Sequence, residues 1–218
     1  MTVAAFAHTH KLFDVAGFAV DRAYLSSSSA GCMNLPVFAI DELKGIMDPD
    51  NDLIFVAIAW NRLNADRRDL YLRLKREGFR FANLISPLAT VYGEICGDNC
   101  WIYDHAVVDF RSKLHNNVII KEGAYISYDC DMADHCFIGA HSFIAGGVSV
   151  GEQSFIGIRS TIFDDVRIGR KCIIGGATVV KRNMPDFSKI TVKADNFAMT
   201  RHSEEDMESK LMFNKNVR

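Results

Sequence analysis

The residues of this chain best suited to chemistry crowd into one segment, "YISYDCDMADHCFIGAHSFIAGG" at 125–147. Tyr128 precedes Asp129 there; His135 and His141 follow Asp129 at successive intervals of six, and Gly146 and Gly147 close the segment. Imidazoles titrate near neutral pH and suit general acid–base work. A phenol of ordinary pKa, about 10, is a poor base at neutral pH. Tyr128 therefore suits binding through its hydroxyl, which Asp129 can orient. His105 lies 36 residues before His141 and raises a zinc reading, but a catalytic zinc site needs three protein ligands, and "SFIAGG" after His141 offers no third. No metal is expected. What the remaining groups can do together depends on the shape that positions them.

That shape is written in a six-residue period. From Ile102 the positions Val108, Leu114, Ile120, Ile126, Met132, Ile138, Ile144, Val150, Ile156, Ile162, Ile168, Ile174 and Val180 are all aliphatic or Met. Two residues earlier in each hexad runs a row of small residues, among them Cys100, Ala106, Ser112, Ala124, Cys130, Cys136, Ser154 and Cys172. One aliphatic and one small inward position per hexad define a parallel β-helix, in which three hexads close one triangular coil. Successive coils then stack at the usual strand spacing, about 4.8 Å. Gly139, Gly151, Gly157, Gly169 and Gly175 follow the aliphatic position and are expected to ease the backbone at the corners. Cys96, Cys100, Cys130, Cys136 and Cys172 fall on the two inward rows and read as small buried hydrophobes. No C-x-x-C pair marks a metal or disulfide framework.

The first 85 residues differ. "FDVAGFAV", "DLIFVAIA" and "RFANLI" read as strands, and "NADRRDLYLRLKREG" as a helix with Asn64 or Asp66 at its start and Gly78 at its stop. The fold class is therefore mainly β, a left-handed parallel β-helix (86–192) preceded by a small Rossmann-like α/β domain (1–85), with a polar C-terminal tail (193–218) holding a short helix; the left hand and a substrate-binding role for the α/β domain are what the resemblance described next implies. A net charge of -2 and a pI near 6.4 argue against a nucleic-acid or polybasic membrane partner. No apolar run approaches the roughly 18 residues of a membrane span and no signal core is present, so a cytoplasmic protein is expected.

A small α/β unit ahead of hexad coils resembles the left-handed β-helix sugar acyltransferases of the nucleotide-amino-sugar N-acetyltransferase and sialic acid O-acetyltransferase type. "FVAIAWNRLN", "GFRFANLISPLATV" and "DHCFIGAHSFIAGGVSVGEQSFIG" carry the resemblance, from about Phe13 to Val192. It implies a homotrimer that transfers an acetyl group from acetyl-CoA to a sugar, a small-molecule substrate, in bacterial surface-glycan synthesis. Acetyl-CoA would lie in the groove between neighbouring β-helices. The family's "G-H-[DE]-C" base segment here reads Ser127-Tyr128-Asp129-Cys130, so a tyrosine stands where the base histidine is expected. The family's glycine-rich nucleotide loop has no counterpart in "MTVAAFAHTH", and its final "G-x-P-A-K" is replaced by "TVKAD".

The expected catalytic set is His141 or His135 as base or substrate ligand, with Tyr128 and Asp129 lining the pocket. Gly146 and Gly147 would meet the thioester. Residues 159–193 carry eight bases against three acids, whereas 94–134 carry eight acids against three bases. A basic C-terminal end suits the phosphates of coenzyme A, with Arg159, Gly175, Gly176, Lys181 and Arg182 as cofactor contacts. Two rivals stand beside this reading: a non-catalytic β-helix that has lost its histidine and nucleotide loop, and a hydroxyl-directed transferase with another acceptor.

Overall fold

The aliphatic row builds a prism. The computed structural model describes residues 3–25 and 34–192; Cys32, Lys193 and the tail helix expected after Val192 lie outside them. From Leu84 to Ile190 the chain winds through two-residue strands that pair only in parallel, each with the strand one coil away. Three sheets result. Face I holds seven strands, from Leu84–Ile85 through Trp101–Ile102, Ile119–Ile120, Phe137–Ile138, Phe155–Ile156 and Ile173–Ile174 to Lys189–Ile190. Face II holds six, from Thr90–Val91 to Val179–Val180, and face III five, from Glu94–Ile95 to Arg167–Ile168. The second residue of each strand points inward, and the row from Ile102 to Val180 is buried along the prism axis together with the small row.

Two expectations of the hexad reading are corrected. First, the register slips in the first coil. Leu84 pairs with Trp101 at 17 residues, Glu94 with Lys113 at 19, and only above them does Tyr125–Phe143 show the regular 18. Ile95, not Cys96, therefore meets Leu114, and Cys96 is exposed. Cys100, Cys130, Cys136 and Cys172 are buried as expected, and burial pushes the Cys100 and Cys136 thiols up to about 12.

Second, the corners are not made by the glycines that follow the aliphatic. Left-handed φ recurs at Asn99, His105, Arg111, Asn117, Gly123, Asp129, His135, His141, Gly147, Gln153, Arg159, Asp165, Lys171 and Ala177, three residues ahead of each aliphatic. Asn, Asp and His tolerate this region best among side chains, and here Arg, Lys, Gln and Ala adopt it too. Gly139, Gly151 and Gly157 serve close approach instead: a Cβ there would meet the backbone of the next coil at 2.6, 2.6 and 2.5 Å.

Outward residues decide what covers each face. Face I presents Trp101, Ile119, Phe137 and Phe155, and the N-terminal unit covers it. Helix α1 (Val3–Thr9) lays the fully buried Phe6 against Trp101 and Tyr103, ring centroids 5.4 and 5.3 Å away. His10 Nε2 and Ser86 Oγ then fasten to Asp104 Oδ1 at 2.9 and 2.6 Å. Strand β1 (Phe18–Val20) pairs in parallel with β2 (Val37–Ala39). The stretch read as a strand at 52–59 makes only the isolated bridge Ile54–Phe81, while Leu84–Ile85 of "RFANLI" joins the coil. Beyond the short α2 (Leu43–Ile46), helix α3 spans Ala65–Arg76, with Asn64 before it and Gly78 at φ +89° after it.

Helix α3 clamps the unit to the edge between faces III and I. Its pitch, about 5.4 Å, nearly matches the coil rise of about 4.8 Å, so each turn meets one coil. The Asn64 side-chain amide donates to Ser154 O at 3.4 Å, Arg67 reaches the coils of Asn117 and His135, and Tyr71 donates to Asp98 Oδ1 at 2.5 Å. Arg67 is fully buried and has no carboxylate partner among the described residues. Its Nε donates to Asn117 Oδ1 at 3.0 Å, Nη1 to Ala59 O at 2.9 Å, and Nη2 to the carbonyls of Asn117, His135 and Cys136 at 3.2, 3.1 and 3.1 Å. Burial lowers its pKa to about 10, which leaves it charged at neutral pH. Replacing it leaves the buried Asn117 and His135 carbonyls without a donor among the described residues, whereas Cys136 O keeps the Ile119 amide and Ala59 is exposed. Arg67→Leu should cost about 3 kcal/mol, or roughly 10 °C in Tm for a chain of this size. Calorimetry reads the effect, and a shift under about 2 °C would show that the clamp is dispensable.

Candidate active site

A prism sorts its residues by edge, and the sequence candidates fall on all three. Six residues advance the chain by one edge; eighteen return it to the same edge one coil higher. Asp129, His135 and His141, spaced by six, therefore occupy successive edges, and no single face of one protomer gathers them.

His135 lies on the III/I edge beneath α3, in a ladder of left-handed corners at 18-residue intervals. Asn99 Nδ2 donates to Asn117 Oδ1 at 2.8 Å, Asn117 Nδ2 lies 3.0 Å from His135 Nδ1, and Gln153 Nε2 donates to Leu63 O at 2.9 Å. All four side chains are buried. Burial, chiefly, pulls the His135 pKa down to about 4. His135, expected as base or substrate ligand, lies inside the joint between α3 and the coils, where burial favours the neutral imidazole. The sequence reading missed this ladder, although Asn99, Asn117, His135 and Gln153 spell it at a fixed interval.

The II/III edge carries Tyr128 and Asp129, with Gly146 and Gly147 one coil above. Tyr128 is half exposed and its ring lies over Gly146, so close that a Cβ there would sit 2.6 Å from Cζ. Tyr128 thus rests in the space that Gly146 leaves by having no side chain. The Gly146 amide donates to Asp164 Oδ1 at 3.1 Å, and the Gly147 amide to Tyr128 O at 3.0 Å. Asp129 accepts two bonds from Arg111, both 2.6 Å, and this pairing holds its carboxyl below the usual range. Asp129 is therefore committed to Arg111 rather than to the phenol. Lys181 and Arg182 lie two coils above Gly146 on this edge, with Lys181 Nζ 5.1 Å from the Phe163 ring centroid.

The I/II edge carries His105, Gly123, His141, Arg159 and Gly176. His141 is exposed, and its ring covers Gly123, where a Cβ would meet Nδ1 at 2.5 Å. Gly175 adjoins Thr191, which would crowd a Cβ at 2.7 Å. Arg159, Lys181 and Arg182 have no ion-pair partner among the described residues. Among those residues no three His, Cys, Asp or Glu side chains gather as a metal site requires, and no helix is long and apolar enough to cross a membrane.

No protein-family model and no curated protein sequence matches the chain. Solved structures do. A variant of GDP-perosamine N-acetyltransferase from Caulobacter crescentus, in complex with CoA and GDP-perosamine, is similar at 30% identity over 79% of this chain and 80% of that one, with a TM-score of 0.69. The acetyltransferase domain of PglB from Neisseria gonorrhoeae, in complex with acetyl coenzyme A, is similar at 26% identity over 88% and 90%, TM-score 0.75. WeeI from Acinetobacter baumannii, at 20% identity and TM-score 0.60, shares the fold. The chain belongs to the left-handed β-helix, hexapeptide-repeat sugar acyltransferases.

Two expected outcomes follow from this geometry. A group whose folded pKa lies below its unfolded value stabilises the fold above the unfolded pKa and loses that contribution as pH falls. For His135 the window runs from an unfolded value near 6.5 down to about 4, and the loss approaches about 3 kcal/mol. Tm measured across pH 7 to 4 should fall in the wild type and fall less in His135→Gln. In Gly146→Ala the backbone needs no left-handed φ, so stability should change by less than about 1 kcal/mol. The Tyr128 ring must nevertheless leave its seat, and its NMR ring signals should shift; unmoved signals would contradict the seating.

Proposed function

We propose that the protein transfers an acetyl group from acetyl-CoA to an amino group, or a hydroxyl, of a nucleotide-linked sugar in bacterial surface-glycan synthesis, as a cytoplasmic homotrimer. The observation that carries this reading is the similarity, over four-fifths of each chain, to an N-acetyltransferase solved with CoA and GDP-perosamine. The division of the site supports the trimer. Gly146, Gly147, Lys181 and Arg182 share the II/III edge, whereas His141, Arg159 and Gly176 share the I/II edge, with face II between them. A second copy that lays its I/II edge beside the first copy's II/III edge closes a groove holding both sets.

In that groove the chemistry asks little of the chain. The acceptor amine attacks the thioester carbonyl, the C–S bond breaks, and the coenzyme leaves as its thiol. Alignment supplies most of the acceleration. An amide at Gly146 can stabilise the oxyanion once Asp164 turns away, and an exposed His141 can take the amine proton. Tyr128 binds through its hydroxyl. Arg159, Lys181 and Arg182 are free to meet the coenzyme phosphates. The terminal binding partners are thus small molecules.

Calorimetry with acetyl-CoA and free coenzyme A tests the reading. Micromolar binding is expected, weakened about tenfold in Arg182→Ala and by rising salt. His141→Ala should lower the transfer rate without dissociating the trimer. No binding at millimolar ligand would favour the rival of a β-helix kept as scaffold, for which the tyrosine at 128 and the occupied Gly146 amide would be the marks of lost chemistry.

A further inference from the structure

Arg62, Leu63 and Asn64 stand consecutively in the left-handed region, at φ +47, +55 and +63°. L-residues visit that region singly, as at the coil corners, because Cβ crowds the following carbonyl. Three in a row make one turn of left-handed helix, closed by the Asn64 amide donating to Trp60 O at 3.2 Å. The turn runs straight into right-handed α3 at Ala65. None of the three is glycine, so the turn stores strain. Asn64 adds a second cost: its side chain is fully buried, and its Oδ1 has no partner among the described residues.

The same residues have a relaxed alternative. Asn61 is a favoured N-cap type, Arg62 and Leu63 are good helix formers, and Leu63 lies seven residues before Leu70, on one helical stripe. Arg62 and Asp66, paired at 3.0 Å, already have the i,i+4 spacing. With right-handed φ at 62–64, α3 would begin one turn earlier. Three contacts oppose that change. Gln153 Nε2 donates to Leu63 O at 2.9 Å, Asn64 Nδ2 reaches Ser154 O at a long 3.4 Å, and the Trp60 ring centroid lies 5.1 Å from that of Phe137. Strain and an unpaired amide oxygen thus stand against two side-chain bonds and one ring contact, the balance of a two-state element.

Trp60 moves with the turn. Its ring is half exposed and walls a cavity of about 50 Å3 together with Trp101, Tyr103, Lys121 and Phe137. That volume holds a few waters, so anything larger enters only when a wall moves. We propose that residues 60–64 are a two-state lid: the left-handed turn holds Trp60 against Phe137 and shuts the cavity, and conversion of the turn into an added first turn of α3 lifts Trp60 away. Arg67 is the fixed point below the lid, because its bonds to the coils do not involve 60–64. The proposal stands apart from the acyltransfer reading and does not depend on it.

The chain supplies its own reporter. It has two tryptophans, and the Trp101 indole N–H is buried without a hydrogen-bond partner among the described residues. Its exchange with solvent, read by NMR on the full chain, therefore follows entry of water into the cavity. The Gly139 amide, bonded to Ile156 O at 2.8 Å, reports global unfolding alongside it. Glycine relieves a left-handed φ and disfavours a right-handed helix, so Leu63→Gly should slow Trp101 N–H exchange at least fivefold relative to Leu63→Ala. Asn61→Ala removes only the cap of the open form and should slow exchange about fivefold relative to wild type. Trp60→Ala removes the lid and should speed it at least tenfold, with the Gly139 amide unchanged in every variant. Equal exchange in Leu63→Gly and Leu63→Ala, no effect of Asn61→Ala, or no acceleration in Trp60→Ala each overturns the proposal. Parallel changes at Gly139 overturn it too, since the opening would then be global. So does a freely exchanging Trp101 N–H in the wild type, which would mean that the cavity stands open.

Discussion

The near-match between the pitch of an α-helix and the rise of a β-coil holds this molecule together. Because α3 descends the III/I edge about one coil per turn, Asn64 and Arg68 grip the coil of Gln153 and Ser154, Arg67 those of His135 and Asn117, and Tyr71 and Lys75 that of Asp98. Arg67 is the centre of that grip. A guanidinium with no carboxylate partner is costly to bury, and it is tolerated here because backbone carbonyls at a strand-to-corner junction point outward in the fork geometry that five N–H donors fit. The coil supplies acceptors, the helix supplies the fork, and a neutral His135 beside it avoids a second buried charge.

Much of the prism is legible in the sequence because an inward position tolerates only a narrow class of side chain. Ile102 to Val180 repeat at every sixth place for that reason, and the α3 boundaries follow from Gly78 and the polar face after Asn64. The corner row is harder to read. Its residues share a backbone conformation rather than a side-chain type, so Asn99, Arg111, Asp129, Gln153 and Ala177 look unrelated. The first coil is harder still, since a turn after Val91 that is two residues short and one after Ile95 that is one residue long leave the full coil one residue short. Cys96 was misassigned by that slip. The strand read at 52–59 goes no further than the Ile54–Phe81 bridge, in which Ile54 N donates to Arg80 O at 3.0 Å and Ala82 N to Ile54 O at 2.9 Å, because the Val56 amide donates instead to Asn99 Oδ1 at 2.7 Å.

The candidate site was legible in its residues but not in their grouping. Proximity in sequence suggested that Tyr128, His135 and His141 work together, whereas a triangular coil separates neighbours six apart and unites positions eighteen apart. The same rule explains what the sequence reading overlooked. Gly146 is informative less as an amide than as a missing side chain one coil above Tyr128, and Asp164 matters because it is one coil further on. None of these is visible in a motif; each is visible once residues are read up an edge.

A stack of coils that touch only their neighbours behaves as a one-dimensional chain, in which stability is a sum of unit and nearest-neighbour contributions and unfolding starts at an end. The grip of α3 changes that bookkeeping. It ties the coils of Asp98, Asn117, His135 and Ser154 into a single cooperative block, because none can open without releasing the helix. The coils above Ser154 have no such strap among the described residues. The molecule is therefore stiff where the acceptor would be gripped and free to breathe at its basic end, where a long, flexible coenzyme would thread.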